Sequence, residues 1–522
     1  MDPVYAGDLM VPPYDGSIAN LLKRPFEEFP DKLALTHADE ERTYRDFGDR
    51  VRQFAGGLHA AGFDAGDRIG ICVPNGIAFC EVIWGCIHAG VIASPLNPAY
   101  RRREIDYQLG HADAEAVITT PQKLEHAEPV AEEHGIDVFL TQPAGDRRTI
   151  GGLIETGEPT TVERTDDDIL LQPYTSGTTG RPKGVLLTHR NFRVQLVRGI
   201  EGYTTGEIRG DGLIVLPMYH ITGMLRMLSS TATGRTMHLL RPDEWDPVRV
   251  LETIDAYDVP SFSGVTTMYV DLLETYEENP EAYDLSSLES ASQGGAKLPE
   301  PMHEELEERF DIEMREGYGH TETTAGTHTI SASTFGDKVG SVGQPIPHTA
   351  SKIVDEDGEE VPVGEEGKIW VQGPQVMKGY YKNDEATDAA FSERGYFKTG
   401  DIAYRDEDNY YYVIGRETDM ILTGGYNVYP SEVERVLYDH PAIAEAAVFG
   451  VPDDRRGETV AAAVSPAEGH DLDAERVKEY VLDEIAPYKH PRVVDVRDEL
   501  PKTGSGKIRK IELRDQFLKD GT

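Results

Sequence analysis

Cysteine is nearly missing from this chain: three in 522 residues. Cys72, Cys80 and Cys86 lie in apolar surroundings without C-x-x-C spacing, so they read as core thiols. A reducing, cytoplasmic setting fits that use. Basic charge is also scarce, with 51 Lys plus Arg against 93 Asp plus Glu and a formal net charge of −42. A polyanion of this size is repelled by nucleic acid and by anionic membrane surfaces. Only 17 of the cations are lysine and 34 are arginine. An acidic, lysine-poor surface suggests a halophilic protein, adapted to molar salt where screening removes self-repulsion. Long apolar runs are absent too. The longest uncharged stretch, 82–100, contains His88, Pro95, Asn97 and Pro98 and reads as a buried helix followed by a strand, not a membrane span. The N-terminal MDPVYAGDLM has no basic region before an apolar core, so no export signal is expected. No repeat or low-complexity tract is present.

What the chain does have is a dense polar loop, Tyr174 to Gly184, reading YTSGTTGRPKG. Apolar runs at 169–171 and 185–187 flank it and read as strands. Glycines let such a loop take positive φ and bring its N–H groups to an anion. Hydroxyls add donors, and Lys183 supplies a point charge suited to phosphate. The spacing is not the P-loop pattern, because two residues separate Gly177 from Gly180 and Gly184 follows Lys183.

Length allows two or more domains. Helix-like and strand-like segments alternate from 42 to 118: a helix capped by Thr43 with Phe47, Val51, Phe54 and Leu58 on one face, strands at 68–73, 91–96 and 116–119, helices at 78–89 and 103–112. That rhythm predicts doubly wound parallel α/β sheet and continues through 213–217 (a strand), 248–257 and 299–310. From about 335 to 414, short strands at 351–354, 367–373, 400–404 and 410–414 predict an antiparallel, partly barrel-like subdomain. Acidic clusters at 355–357 and 406–408 read as solvated hairpin turns. A last unit carries helices at 431–438 and 474–485 and strands at 445–451 and 459–464.

Further motifs follow in order: LPMYH at 216–220, QGGA at 293–296, EGYGHTET at 316–323, FKTGD at 397–401, GR at 415–416, TGGYNVYP at 423–430 and PKTGSGK at 501–507. With the loop, and in this order over about 31–514, they resemble the adenylate-forming acyl-CoA synthetases, the superfamily that includes firefly luciferase and peptide-synthetase adenylation domains. The resemblance implies an N-terminal domain at 1–414, a hinge at 415–419 and a small mobile α+β C-terminal domain at 420–522. It implies ATP-dependent activation of a carboxylic acid to acyl-AMP with pyrophosphate release, then thioester formation with coenzyme A, assisted by Mg²⁺.

Residue by residue, the resemblance implies that Thr175, Ser176, Gly177, Thr178, Thr179, Gly180 and Lys183 cradle the β/γ-phosphates. Gly295, Ala296, Glu316, Gly317 and Tyr318 would line the adenine pocket, with Tyr318 stacking on the base. Thr321 would bond the α-phosphate and Glu322 would ligate magnesium. Asp401 would accept both ribose hydroxyls, and Arg416 would bond ribose or phosphate. Lys507 would bridge carboxylate and α-phosphate where two anions must meet. His220 would gate an acyl pocket of Ile221, Gly223, Met224, Ser263, Gly264, Val265, Gln293 and Gly294. This pocket is expected to be apolar and suited to an aliphatic or aryl acid, with Ile221 arguing against amino acids. Gly424, Gly425 and Tyr426 would line the pantetheine tunnel after the C-terminal domain rotates. Thr418 stands at the pivot where relatives carry Asp or Lys, and Tyr396 stands where they usually carry Trp.

Alternatives are a ligase loading a separate carrier protein, an aryl-acid–CoA ligase, and a nucleotide-binding protein without catalysis. No carrier segment follows residue 522, which favours a diffusible thiol. A phosphoryl-transfer kinase is not expected, for lack of a Walker spacing or the H-R-D catalytic loop pattern. The expected partners are a small-molecule carboxylic acid and coenzyme A, with no nucleic acid and no integral membrane association. The oligomeric state, monomer or homodimer, stays open.

Overall fold

The strands Arg68–Cys72, Ile92–Pro95, Ala116–Thr119 and Asp137–Leu140 run parallel, with Arg68–Cys72 between Ile92–Pro95 and Ala116–Thr119. A computed structural model describes residues 16–175, 181–205, 210–294, 300–330, 338–423, 426–453, 455–467, 469–485, 487–502 and 508–520. Ile169–Leu171 extends the sheet in parallel, then Lys183–Thr188 reverses direction and carries Gly379–Tyr380 at the edge. Near-continuous apolar runs are what strands covered on both faces require.

Thr43 caps the helix Tyr44–Ala60 by accepting from the Asp46 amide, and Phe47, Val51, Phe54 and Leu58 are fully buried. The helix packs on Ile77–Ala89 so closely that a Cβ on Gly85 would lie 2.2 Å from the Phe54 ring. Trp84 fills the same core, its Nε1 donating to Thr231 Oγ1 at 2.9 Å. The cysteines are free and buried, as their apolar neighbours predict.

A second sheet orders Ser261–Gly264, Ser290–Gly294, Glu313–His320, Ala325–Thr329 and Gln344–Pro345; its first three strands are parallel. A separate apolar cluster, including Phe262, Ala291, Met314 and Leu306, covers one face. A small sheet joins Gly212–Ile214 and Met237–Leu239 to Leu33–His37 and Glu40–Thr43. The strands Ala350–Val354, Gly367–Gln372, Phe397–Arg405 and Tyr411–Arg416 form an antiparallel sheet, matching the change of texture near residue 335. Beyond it, Ile443–Asp453 and Gly457–Pro466 pair in a last sheet, with the helices Pro430–Tyr438, Ala474–Glu484 and Lys510–Asp520. Apolar clusters of this region's own residues form its core. No described helix is long and apolar enough to cross a membrane.

One expected strand is shorter than the sequence suggests. The run 213–217 leaves the sheet after Ile214 because a buried side chain takes over its backbone groups. Asn75 Nδ2 donates to the Leu216 and Leu240 carbonyls, both at 3.0 Å, and its Oδ1 accepts from the Met218 amide at 2.8 Å. Replacing Asn75 with Ala leaves these buried groups unpaired, so urea unfolding should show a loss of about 3 kcal/mol.

Three buried imidazoles are neutral in the fold. Burial pushes the pKa of His88 and of His328 down to about 3, and that of His189 to about 4. In the unfolded chain each protonates near the ordinary histidine value of about 6.5. Their contribution to stability is therefore complete above that value and is lost as pH falls from there toward about 4 for His189 and about 3 for His88 and His328. Denaturant unfolding followed from pH 7 to 5 should reveal this slope. His88→Gln should flatten it by up to about 1.4 kcal/mol per pH unit.

Candidate active site

The parallel strands of the second sheet end together at Gly264, Gly294 and Gly317, where Gly264 pairs with Gln293 and Gly294 with Gly317. Ligands of open α/β sheets bind beyond such carboxyl ends. Strand Glu313–His320 continues past this edge with Tyr318 and His320, and strand Phe397–Arg405 brings Asp401 against them. Tyr318 Oη donates to Asp401 Oδ2 at 2.6 Å, and His320 Nε2 reaches the same oxygen at 2.7 Å. Arg416 Nε stands 3.1 Å from the other oxygen, Oδ1. The Asp401 amide donates to Thr399 Oγ1 at 3.1 Å, fixing the turn.

The Asp401 side chain is only 5% exposed. Burial works to raise its pKa, but the His320 hydrogen bond and the charges of His320 and Arg416 hold it below the usual carboxylate value. Burial, and next the Asp401 charge, push the Tyr318 hydroxyl well up, so it stays a donor. Asp401 is thus an ionised acceptor in a dry place. His320 is a member of this cluster that sequence reasoning passed over. Its signal was a histidine inside EGYGHTET, without an indication of what it would touch.

Residues Thr321–Thr323 form one short helical turn after His320, and the Thr323 hydroxyl accepts from the His320 amide at 2.9 Å. Glu322 is held at both ends. Its carbonyl accepts from the Met377 amide at 2.7 Å, and its Oε1 accepts from Tyr380 Oη at 2.9 Å. Lys183 Nζ lies 4.5 Å from the centre of the Tyr380 ring. Tyr380 therefore links the predicted phosphate lysine to the predicted metal carboxylate, which sequence alone did not indicate. Burial, then the Glu322 charge, raises the Tyr380 pKa. Among the described residues no three His, Cys, Asp or Glu side chains cluster as a metal cage. A single carboxylate at such a place suits Mg²⁺, which keeps waters and is completed by substrate phosphates.

The polar loop is anchored at its base. Tyr174–Thr175 pairs antiparallel with Lys183–Gly184. Tyr174 Oη meets His111 Nδ1 at 2.8 Å and accepts from Gln172 Nε2 at 3.2 Å. A Cβ on Gly184 would lie 3.0 Å from Gln172 Nε2 and 3.1 Å from the Tyr174 ring, which explains glycine there. Ser176, Gly177, Thr178, Thr179 and Gly180 lie outside the described residues, as do Gly295, Ala296, Gly424, Gly425 and Lys507. Tyr426 is described only as strand backbone.

His220 caps the helix Ile221–Thr233, is exposed, and packs against Tyr219 with ring centres 4.5 Å apart. It is not a core histidine. Ile221 and Met224 are buried, and a Cβ on Gly223 would meet the Pro217 carbonyl oxygen at 2.3 Å. Gln293 and Glu316 are buried side by side in register at the strand edge. Polar groups stand on the sheet face beside the expected apolar pocket. Arg226, on the same helix as Ile221 and Met224, donates from Nη2 to Ser292 Oγ at 2.6 Å, and Ser292 Oγ lies 2.5 Å from Ser263 Oγ. A residue six positions after His220 carried no motif signal.

At the expected hinge, Arg416 pairs with Asp401 and Glu417 pairs with Lys368 at 2.9 Å, so both grip the antiparallel sheet. Thr418 is exposed, its hydroxyl 3.2 Å from Asp419 Oδ1.

A family model described as AMP-binding enzyme matches residues 22–381, and one for the AMP-binding enzyme C-terminal domain matches 432–507. The chain is 37% identical to a feruloyl-CoA synthase of Amycolatopsis sp over 493 residues, 94% of this chain and 96% of the other. It is 34% identical to a long-chain-fatty-acid–CoA ligase of Bacillus subtilis, covering 96% of this chain and 94% of that one. Among solved structures, o-succinylbenzoate coenzyme A synthetase from Bacillus subtilis, in complex with ATP and magnesium ion, is similar with a TM-score of 0.82 at 30% identity. That likeness covers 96% of this chain and 99% of the other.

Proposed function

Because the chain belongs to the AMP-binding enzyme family, we propose that its strand-edge site joins a carboxylic acid to coenzyme A through an acyl-adenylate. The enzyme is an AMP-forming acid–CoA ligase using ATP, coenzyme A and Mg²⁺. The observation that carries the reading is that one strand and the turn after it bring Tyr318 to Asp401 and Glu322 to Tyr380, whose ring lies beside Lys183. A nucleotide needs these groups together: an ionised acceptor for sugar hydroxyls, an aromatic face, a metal carboxylate and a phosphate cation.

In the first step the acid's carboxylate oxygen attacks the α-phosphorus, and the bond to pyrophosphate breaks. Asp401, held ionised, accepts the ribose hydroxyls, and Tyr318 lies against the base. Arg416 neutralises Asp401 and borders the ribose. Thr321 and Lys183 bind phosphate oxygens, together with the loop 175–180. Glu322 would hold Mg²⁺, which when bound screens the phosphate charges; Tyr380 orients that carboxylate. Lys507 brings a positive charge to the two reacting anions. In the second step the thiol sulfur of coenzyme A attacks the acyl carbon, AMP leaves, and the thiol proton passes to solvent.

The C-terminal unit, 420–522, then exchanges Lys507 for the loop 423–430 by rotation about 415–419. The Arg416–Asp401 and Glu417–Lys368 pairs support a pivot there, since they hold one side of it. Thr418 follows them, exposed, in the short turn Glu417–Asp419. A reducing cytoplasm suits three buried free thiols, and burial raises Cys72 to about 11 and Cys86 to about 12. The charge of −42 suits work in molar salt.

The test is pyrophosphate release in molar KCl with ATP and Mg²⁺, across short, long and aryl acids, with and without coenzyme A. Turnover needing both an acid and coenzyme A is expected. Release with acid but indifferent to coenzyme A would instead point to a carrier-loading ligase, and silence with every acid would overturn the reading. Lys507→Ala should slow adenylation by on the order of a hundredfold and spare thioester formation from supplied acyl-AMP. Equal loss in both half-reactions would sink the domain exchange. Glu322→Gln should raise the magnesium concentration needed for half-maximal rate, and an unchanged requirement would refute its ligand role.

A further inference from the structure

We propose that Arg226 recognises a second carboxylate at the far end of the acid, so that the substrate is a dicarboxylic acid. This rests on the acid–CoA ligase reading above. Helix Ile221–Thr233 lays Arg226 against the face of the second sheet that carries Ser263, Ser292 and Arg315, which stand side by side in register. Only one of its donors is used by a described residue, Nη2 to Ser292 Oγ at 2.6 Å. Ser292 is in turn held by Ser263 at 2.5 Å. Arg226 makes no ion pair with any described carboxylate. After burial and the Tyr269 hydroxyl, the groups acting on it are Arg235 and Arg315, which have its own sign.

A guanidinium in this position is anomalous twice over. The protein carries 93 acidic residues, and most described arginines near its surface find one. Burial opposes the charge enough to draw its pKa down to about 10, still far above working pH. A partly buried cation with no counter-ion among the described residues costs stability unless something supplies the anion. The planar fork matches a carboxylate in both shape and charge.

Position gives the rest. Ser292 precedes Gly294 by two residues on its strand, which places it roughly 7 Å beneath the strand edge where the nucleotide site begins. An acid entering from that edge would bring its tail to the cation, and a plain alkyl tail would bring it no anion.

The measurement is kcat and KM for alkanoic acids, ω-hydroxy acids and α,ω-dicarboxylic acids of matched lengths, by pyrophosphate release with ATP, Mg²⁺ and coenzyme A. For the wild-type enzyme, kcat/KM should favour one dicarboxylic acid over its alkanoic match by on the order of a hundredfold, carried mainly by KM. Arg226→Met should erase that preference and improve turnover of alkanoic acids. Arg226→Lys should keep part of it. If Arg226→Met melts before assay, Ser292→Ala takes its place and should raise KM for the dicarboxylic acid alone. Wild-type preference for alkanoic acids overturns the proposal and leaves the ligase reading intact. So does a uniform loss for all acids in folded Arg226→Met, which would mean a packing role. Best turnover of ω-hydroxy acids overturns the carboxylate in favour of a neutral acceptor. Turnover of no acid at all overturns both readings.

Discussion

The buried carboxylate of Asp401 is the point on which three parts of this molecule converge. Its own strand belongs to the antiparallel sheet, Tyr318 and His320 extend from the parallel sheet, and Arg416 ends the strand that leads to the C-terminal unit. Removing a carboxylate from water costs several kcal/mol, and the cost is offset only by full hydrogen bonding and opposite charge. Here both oxygens and the preceding turn are occupied. The carboxylate is consequently ionised and fixed in direction before any nucleotide arrives, which lowers the ordering entropy that binding must overcome.

Glu322 shows the same design with less protection. Tyr380 occupies one oxygen and the Met377 amide holds the backbone, so the carboxylate is aimed without being closed off. The two acids therefore suit two tasks, one accepting hydroxyls in a dry place and one sharing a cation with phosphates. Charge is handled differently on the face of the second sheet, where Arg226 donates to Ser292 near two further arginines. In a chain of net charge −42, a cation so placed is rare enough to be informative.

Much of the fold was legible because local physics sets it. The Thr43 cap, the buried face Phe47, Val51, Phe54, Leu58 and the apolar strands around Arg68–Cys72 follow from capping chemistry and periodicity. The acidic clusters at 355–357 and 406–408 are indeed turns, with Asp355 and Asp406 accepting nearby amides. Where the reading overran, at 213–217, the cause was a partner 141 residues away in sequence, Asn75. Periodicity carries no trace of such a bond.

The site divides along the same line. Sequence by itself determined the family, because motifs such as YTSGTTGRPKG, EGYGHTET and FKTGD sit in recognisable local spacings. Tertiary structure alone decided which side chains meet. His320 reaches Asp401 across 81 residues, Tyr380 reaches Glu322 across 58, and Arg226 reaches Ser292 across 66. Hydrogen bonds and charges act over a few ångströms of space, whatever the separation along the chain, and only the folded backbone converts one distance into the other.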